Sequence, residues 1–120
     1  MAHFPTSAVV IEFLILAIVD EQDSYGYEIS RTIKLIADIK ESSLYPILKR
    51  LEKAGFVTTY SQEHQGRKRK YYRITDSGKD ELTFLKKEWQ TYTETILGII
   101  EGSIRHEKDC RPSRTRPLSA

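Results

Sequence analysis

ESSLYPILKRLEKAGFV, residues 41–57, is the stretch that decides the fold of this chain. Its apolar residues recur at three- and four-residue spacing and so form one face of a helix: Leu44, Ile47, Leu48 and Leu51. Gly55 favours a helix end, and Pro46, which lacks an N–H, favours a start near Ser42 or Ser43. The remaining front of the helix is basic, small-polar and aromatic, which suits a DNA groove but is also found on ordinary surface helices. The remaining sequence distinguishes a DNA-binding helix from an ordinary surface helix.

Two helices are predicted ahead of this stretch. Ala8–Val19 is apolar except for Glu12; its length and its lack of Gly and Pro favour a helix, with a strand as the alternative. A helix that is apolar all round needs cover on every side, which in so small a chain indicates a partner subunit. Tyr25–Ile36 is the second helix, with Ser24 as its capping residue. Its apolar stripe comprises Tyr25, Ile29, Ile33 and Ile36. The short link Ala37–Lys40 joins this second helix to the basic helix of the opening stretch, and two helices so joined outline a helix-turn-helix.

A β-hairpin is predicted after the third helix. Phe56–Ser61 and Lys70–Ile74 are rich in β-branched and aromatic residues, and Gly66 lies in the polar link between them. The tip and second strand, His64–Arg73, hold a run of cations and no acid: Arg67, Lys68, Arg69, Lys70 and Arg73. Such a run is usually only solvated surface. Because it directly follows a basic helix, a nucleic-acid contact is favoured.

A long last helix is predicted over Asp76–Ile104, with Thr75 at its cap. Its apolar residues follow a heptad seam with spacings of 3, 4, 3, 4 and 3: Leu82, Leu85, Trp89, Tyr92, Ile96 and Ile99. At ~1.5 Å per residue the helix is about 40 Å long, more than the preceding residues can cover. The seam is therefore expected to form a dimer interface with a second copy of the chain.

The composition excludes several classes of protein. The net charge is only +2, so the position of the cations matters more than their number. No apolar run reaches the ~18 residues of a membrane span, and no secretory signal is recognised. A single cysteine, Cys110, fits a reducing cytoplasm. His3, His64 and His106 lack the spacing of metal ligands, and no paired carboxylates, nucleophile with a base, or phosphate-binding loop is visible. We therefore expect a cytoplasmic protein with no membrane contact, cofactor, metal or enzymatic activity.

The predicted fold is mainly α with a small β-hairpin (α+β): a winged helix-turn-helix with a long C-terminal dimerisation helix. The DNA-binding domain spans 1–75, the dimerisation helix 76–106, and a disordered basic tail 107–120.

Four motifs, in this order, resemble the PadR family of bacterial transcriptional regulators: YGYEI at 25–29, SLYPILKRLE at 43–52, GRKRKYY at 66–72, and Ile74-Thr75 with Gly78. The resemblance covers about residues 9–100, and the short C-terminal region resembles the small subfamily with a single arm helix. The family pattern has Gly or Ala where this chain has Ser42.

The resemblance implies a homodimeric repressor that binds a palindromic operator and is released by a small phenolic or planar aromatic effector. In the multidrug-binding branch of the family a tryptophan of the arm helix lines a cavity at the dimer centre, and Trp89 is at the matching place. The predicted effector pocket comprises Trp89, Leu85, Tyr92 and Phe13. Packing in the heptad seam explains Trp89 equally well. The alternative function is a winged-helix module for protein contacts without an effector, and the basic hairpin argues against it.

The predicted contacts with double-stranded DNA lie on the third helix and on the hairpin. The helix contributes Ser42, Ser43, Tyr45, Lys49 and Arg50. Hydroxyls and lysine suit phosphates, whereas Tyr45 and Arg50 can reach base edges. Tyr45 has the alternative of packing between helices. The hairpin contributes Gly66, Arg67, Lys68, Arg69 and Lys70, along the DNA backbone or in the adjacent minor groove.

Overall fold

The computed structural model describes residues 7–102. The elements are α1 (Ala8–Glu21), β1 (Ser24–Tyr25), α2 (Gly26–Ile33), α3 (Glu41–Lys53), β2 (Val57–His64), β3 (Arg67–Ile74) and α4 (Asp76–Ile100). The chain divides within α4 into two compact units, Met1–Leu85 and Lys86–Ala120. The fold is the predicted one, mainly helical with a small antiparallel sheet and a long last helix.

The core of the first unit is built from the apolar faces of α1, α2 and α3 and the inner side of the sheet. Its fully buried residues include Ile15, Leu16, Ile29, Ile33, Leu44 and Leu48. The helical prediction for α1 is confirmed, and the strand alternative is wrong. One side of α1 is less well covered, because Val9 is exposed and Phe13 only partly buried. The four apolar residues that define the face of α3 all lie in this core.

The second helix is shorter than predicted and begins differently. Ser24 was predicted as its cap, but Ser24 and Tyr25 are extended and form β1. The N-cap is Tyr25, without a side-chain cap hydrogen bond, and the Ser24 hydroxyl instead donates to Glu28 Oε1 at 2.6 Å. The helix ends at Ile33, so Ile36 falls outside it and is exposed. Pairing of β1 with a strand almost fifty residues away overrides the local capping preference.

The third helix starts at Glu41, ahead of the predicted start. Its first turn bonds to the Lys40 carbonyl oxygen, at 2.9 and 3.0 Å. Pro46 therefore lies beyond the first turn, where its missing N–H removes the i→i−4 hydrogen bond to the Ser42 carbonyl. The predicted end is confirmed, since Gly55 follows the helix with a φ of +83°.

β2 and β3 form a regular antiparallel hairpin from the Val57↔Ile74 pair to the His64↔Arg67 pair. Gln65 and Gly66 connect them, with φ values of +52° and +78°, as a type I′ turn requires. The hairpin and the place of Gly66 are therefore as predicted. Both strands are longer than predicted, because the polar basic link is itself extended. β1 adds a third strand, and the sheet order is β1-β3-β2.

Thr75 caps α4, as predicted. Its Oγ1 accepts from the Gly78 N–H at 3.0 Å and donates to the Gly55 carbonyl oxygen at 2.6 Å. A Cβ on Gly78 would fall on the Phe56 carbonyl oxygen, so the start of α4 packs tightly on the entry to the hairpin. Leu82 is only 3% exposed, within the core of the first unit.

The structure describes α4 as far as Ile100. The predicted helix end at Ile104 is wrong, because Glu101 and Gly102 form a turn in which Gly102 has a φ of +76°. The basic tail at 107–120 lies outside the described residues, as do His3, His106 and Cys110. Among residues 7–102, no helix combines the length and apolarity needed to cross a membrane.

Candidate nucleic-acid interface

One exposed stripe of α3 lies opposite its buried face. It consists of Ser42, Pro46, Lys49 and Lys53, spaced by 4, 3 and 4 residues, all of them exposed. Ser42 and Lys49 were predicted DNA contacts. Lys53 was not among the predicted contacts. The spacing between Lys49 and Lys53 places the second lysine one turn further along the same stripe. The sequence therefore contained the signal for it.

Arg50 lies on the flank of α3 that faces α1. Its Nε and Nη2 both donate to Glu12 Oε2, at 2.9 and 2.7 Å. Glu12, the residue that interrupts the apolar sequence of α1, is thereby paired. The Arg50 side chain is still 54% exposed, and the Nη1 side of its guanidinium is not used in this pair. The role of Arg50 at DNA stays a prediction.

Tyr45 lies on the opposite flank of α3, against the first residue of α2. A Cβ built on Gly26 would be 2.8 Å from Tyr45 Oη and 2.9 Å from its Cε1. The ring thus packs between two helices, as the alternative interpretation held, but 45% of the residue stays exposed. Each interpretation describes part of this side chain.

The cations of β3 alternate between the two faces of the sheet. Lys68 and Lys70 share the inner face with the buried Tyr72. Lys70 Nζ lies 3.8 Å from Glu52 Oε1 and 5.6 Å from the Tyr72 ring centroid. These two contacts direct Lys70 back towards α3 and the core. Burial raises the pKa of Tyr72 above its ordinary value.

The outer face of the sheet carries a cluster of tyrosines and arginines. The Arg69 guanidinium lies 4.2 Å from the Tyr25 ring centroid, so Tyr25 is not part of the core stripe predicted for it. The Tyr71 ring lies between those of Tyr25 and Tyr60, with both centroid distances 5.5 Å, and it stacks on Tyr60 with an interplanar angle of 14°. Arg69 is thus packed against an aromatic ring.

Asp23 holds the other end of this cluster. Its Oδ2 accepts from the Tyr60 hydroxyl at 2.6 Å and from Arg73 Nε at 3.1 Å. The hydrogen bond to Asp23 raises the pKa of Tyr60. The sequence prediction missed the cluster, because Tyr25 is predicted in the second helix and Asp23 comes close to Tyr60 and Arg73 only in the folded chain.

Some cations of α3 and the wing tip remain outside these pairs. Among the cations of α3, β2 and β3, four exposed ones form neither an ion pair nor a cation–π contact: Lys49, Lys53, Arg67 and Lys68. We call these the unpaired cations. Lys68 is opposite Glu63 in the strand register, but the two make no ion pair. The predicted basic surface is thus divided into paired cations and unpaired ones.

The predicted pocket and dimer residues fall into both compact units. Leu85 and Phe13 are partly buried against the core of the first unit. In the second unit, Trp89 and Tyr92 have ring centroids 6.0 Å apart, and both are exposed together with Ile99. Leu82 has almost no surface left to offer a partner. The effector and dimer roles of these residues stay predictions.

The part of the chain that the structure describes contains no cluster of three or more His, Cys, Asp or Glu residues that could hold a metal ion.

The model of the PadR-like family of transcriptional regulators matches residues 15–84, more than half of the chain and the whole segment from the middle of α1 into α4. The chain belongs to this family. A curated relative, an uncharacterized protein of Lysinibacillus sphaericus, is 42% identical over 97 residues, covering 77% of this chain and 89% of its own length. The negative transcriptional regulator PadR of Bacillus subtilis is 34% identical over 93 residues. That match covers 72% of this chain but only 50% of PadR, so the chain spans about half of that regulator's length.

Solved structures give the same result. A protein of Streptococcus mutans UA159 is 67% identical with a TM-score of 0.85, and the match covers 88% of this chain and 99% of that one. A PadR family transcription regulator of Clostridium difficile R20291 is 33% identical with a TM-score of 0.71, covering 75% and 97%. The predicted winged helix-turn-helix and the predicted PadR-like, DNA-binding regulator are confirmed. The family consists of regulators rather than enzymes, as predicted.

Proposed function

We propose that the chain is a homodimeric repressor that binds a palindromic operator through α3 and the wing formed by β2 and β3. The observation that carries the proposal is the set of unpaired cations, two on the outward stripe of α3 and two at the wing tip. Exposed lysine and arginine side chains without acidic partners attract the phosphate groups of DNA more strongly than its other groups. Ser42 and Ser43, both exposed at the start of α3, add hydroxyl donors beside them.

The number of these cations sets the expected salt dependence. Four per subunit correspond to about eight phosphates in a dimer, and hence to a slope of log K against log salt of about −7. The cations with intramolecular partners, Lys70, Arg69 and Arg50, contribute less, because each must exchange one partner for another. Two half-sites about one helical turn apart follow from the two-fold symmetry of a dimer.

The dimer is supported by the apolar surface of the second unit. Trp89, Tyr92 and Ile99 are exposed on α4 at seam spacing, with Ile96 partly buried between them. Exposed apolar residues in a continuous stripe mark an interaction surface. A second copy of the same helix provides the complementary stripe.

Repression and an effector complete the proposal. The Bacillus subtilis relative is a negative transcriptional regulator. We assign a small planar aromatic effector to a pocket that contains Trp89 and Tyr92 of the second unit, whose ring centroids lie 6.0 Å apart. Trp89 is the sole tryptophan, so its fluorescence reports on such a ligand directly. Quenching by planar aromatic compounds supports the pocket, whereas no quenching by any of them removes the effector but leaves the repressor.

The test of DNA binding is an anisotropy titration of labelled duplex DNA at several salt concentrations. We expect Lys49→Ala/Lys53→Ala to bind more weakly and with a shallower salt slope than the wild type. Lys79→Ala/Lys87→Ala, with the same loss of charge on exposed positions of α4, is the matched control. No binding of the wild type to any duplex at low salt overturns the proposal and favours a protein-contact module.

A further inference from the structure

We propose that Gly26 is a positioning residue for operator binding: the space left by its missing side chain seats the ring of Tyr45 and fixes where the Tyr45 hydroxyl meets DNA. The inference deepens the proposed function and rests on it. Gly26 belongs to α2 and Tyr45 to α3, so the contact joins the two helices of the helix-turn-helix.

The contact is closer than any other residue at position 26 permits. A Cβ there would lie 2.8 Å from Tyr45 Oη, 2.9 Å from Cε1 and 3.2 Å from Cζ. Ordinary van der Waals contact begins near 3.4 Å, so the whole outer edge of the ring would have to move. Gly26 is itself buried, which leaves the ring of Tyr45 as the group that must give way outwards.

The backbone does not explain a glycine at this position. The glycines with positive φ are Gly55, Gly66 and Gly102, and Gly26 is not among them within the described residues. It is the first residue of a regular α-helix, where glycine is less favourable than alanine. The close approach of Tyr45 is therefore the structural reason for a residue that otherwise weakens α2.

Tyr45 lies where its hydroxyl can reach DNA. It is half exposed and lies one turn before Lys49 on α3, next to the outward stripe. Within residues 7–102 its hydroxyl makes no hydrogen bond, which leaves it available to a phosphate or a base edge. The ring packs against Gly26 and is attached to α3. The hydroxyl therefore loses little conformational entropy when DNA binds.

The test is a double-mutant cycle with Gly26→Ala, Tyr45→Ala and the combined variant, measured with a labelled DNA duplex that the wild type binds and in thermal unfolding. We expect Gly26→Ala alone to weaken operator binding by about tenfold, the effect of one misplaced hydrogen bond to a charged group. In the Tyr45→Ala background the same substitution should have no further effect on binding. Tyr45→Phe, which keeps the ring and removes only the hydroxyl, should weaken binding by a similar factor.

Thermal unfolding measures the contact between Gly26 and Tyr45 in the absence of DNA. Gly26→Ala should lower Tm when Tyr45 is present and raise it in the Tyr45→Ala background, because alanine is the better helix former once the ring is gone. An equal loss of DNA affinity in both backgrounds overturns the proposal, as does full affinity in Gly26→Ala. If the wild type binds no DNA, the proposed function fails and the positioning role fails with it, while a sign reversal in Tm still establishes the contact.

Discussion

Arg50 of α3 donates twice to a single carboxylate oxygen of Glu12 in α1, at 2.9 and 2.7 Å. The pair ties the helix assigned to DNA reading to the first helix of the fold. It also occupies the edge of the Arg50 guanidinium that carries Nε and Nη2. In the proposed complex with DNA, Glu12 and a phosphate therefore compete for the same donor groups of Arg50.

We expect Glu12→Gln to tighten binding to DNA, by about two- to tenfold at low salt, because it frees Arg50 and removes a negative charge from the side of α3. The cost to stability should be below about 1 kcal/mol, since Arg50 is largely exposed and such pairs are weak. Anisotropy titrations and thermal unfolding measure the two effects. Asp80→Asn, with the same change of charge on an exposed position of α4, is the control. Weaker binding of Glu12→Gln would instead mean that Glu12 holds Arg50 in its binding position.

This pair also shows where sequence-based prediction ends. The apolar face of α3 was predictable, because the spacing of Leu44, Leu48 and Leu51 follows from helix geometry alone. The partner of Arg50 was not, since the two residues are 38 positions apart and meet only once α1 and α3 have packed. Strand β1 could not be predicted for the same reason. Two residues carry no periodicity, and Ser24 and Tyr25 are extended because they pair with Tyr72 and Tyr71.

The two faces of the wing were within reach of the sequence but were missed. The second strand was predicted to begin at Lys70, so Arg67–Arg69 was treated as a link without sides. The strand in fact begins at Arg67, and strand alternation then sends Arg69 outwards and Lys70 inwards. An error of three residues at a strand end thus concealed which cations have partners.

The unpaired cations of the wing and the paired Arg69 should affect DNA binding and stability differently. Arg67→Ala/Lys68→Ala removes two unpaired cations per subunit, and we expect the salt slope of DNA binding to become shallower by about 3 to 4 in the dimer. Arg69→Ala should change the slope less and lower Tm instead, because its guanidinium packs on Tyr25, a contact that contributes about 0.5–1 kcal/mol at exposed sites. Salt titrations and thermal unfolding of the two variants provide the comparison. If Arg69→Ala alters the slope per cation as much as the tip variant, the division into paired and unpaired cations is wrong.

Two tyrosines should give the fold an alkaline limit. The hydrogen bond to Asp23 raises the pKa of Tyr60, and burial raises the pKa of Tyr72, so both phenols stay protonated in the folded chain at a pH where they ionise in the unfolded one. Their contribution to stability is therefore complete below the unfolded pKa of about 10 and is lost as pH rises through the higher folded values. Thermal unfolding between pH 9 and 12 should show Tm falling over that interval.

Asp23→Asn provides the specific check on Tyr60. Since the hydrogen bond to Asp23 is the largest cause of the shift, absorbance titration should show the pKa of Tyr60 moving back towards 10 in this variant. Tyr60→Phe identifies the signal by removing it. An unchanged titration curve in Asp23→Asn would assign the shift to the surroundings of the ring instead of to the carboxylate.

The seam of α4 should determine whether the chain binds DNA as a pair. Ile96→Glu/Ile99→Glu places two carboxylates per chain in the proposed interface, where like charges from the two copies face one another and would be buried without partners. We expect light scattering to give the mass of a monomer, and operator affinity to fall to that of a single half-site. Thr95→Glu, which adds a carboxylate to an exposed polar position beside the seam, should leave both mass and affinity unchanged. A dimer that survives the double substitution must be held by other residues, and α1, whose Val9 is exposed and Phe13 only partly buried, is then the next surface to alter.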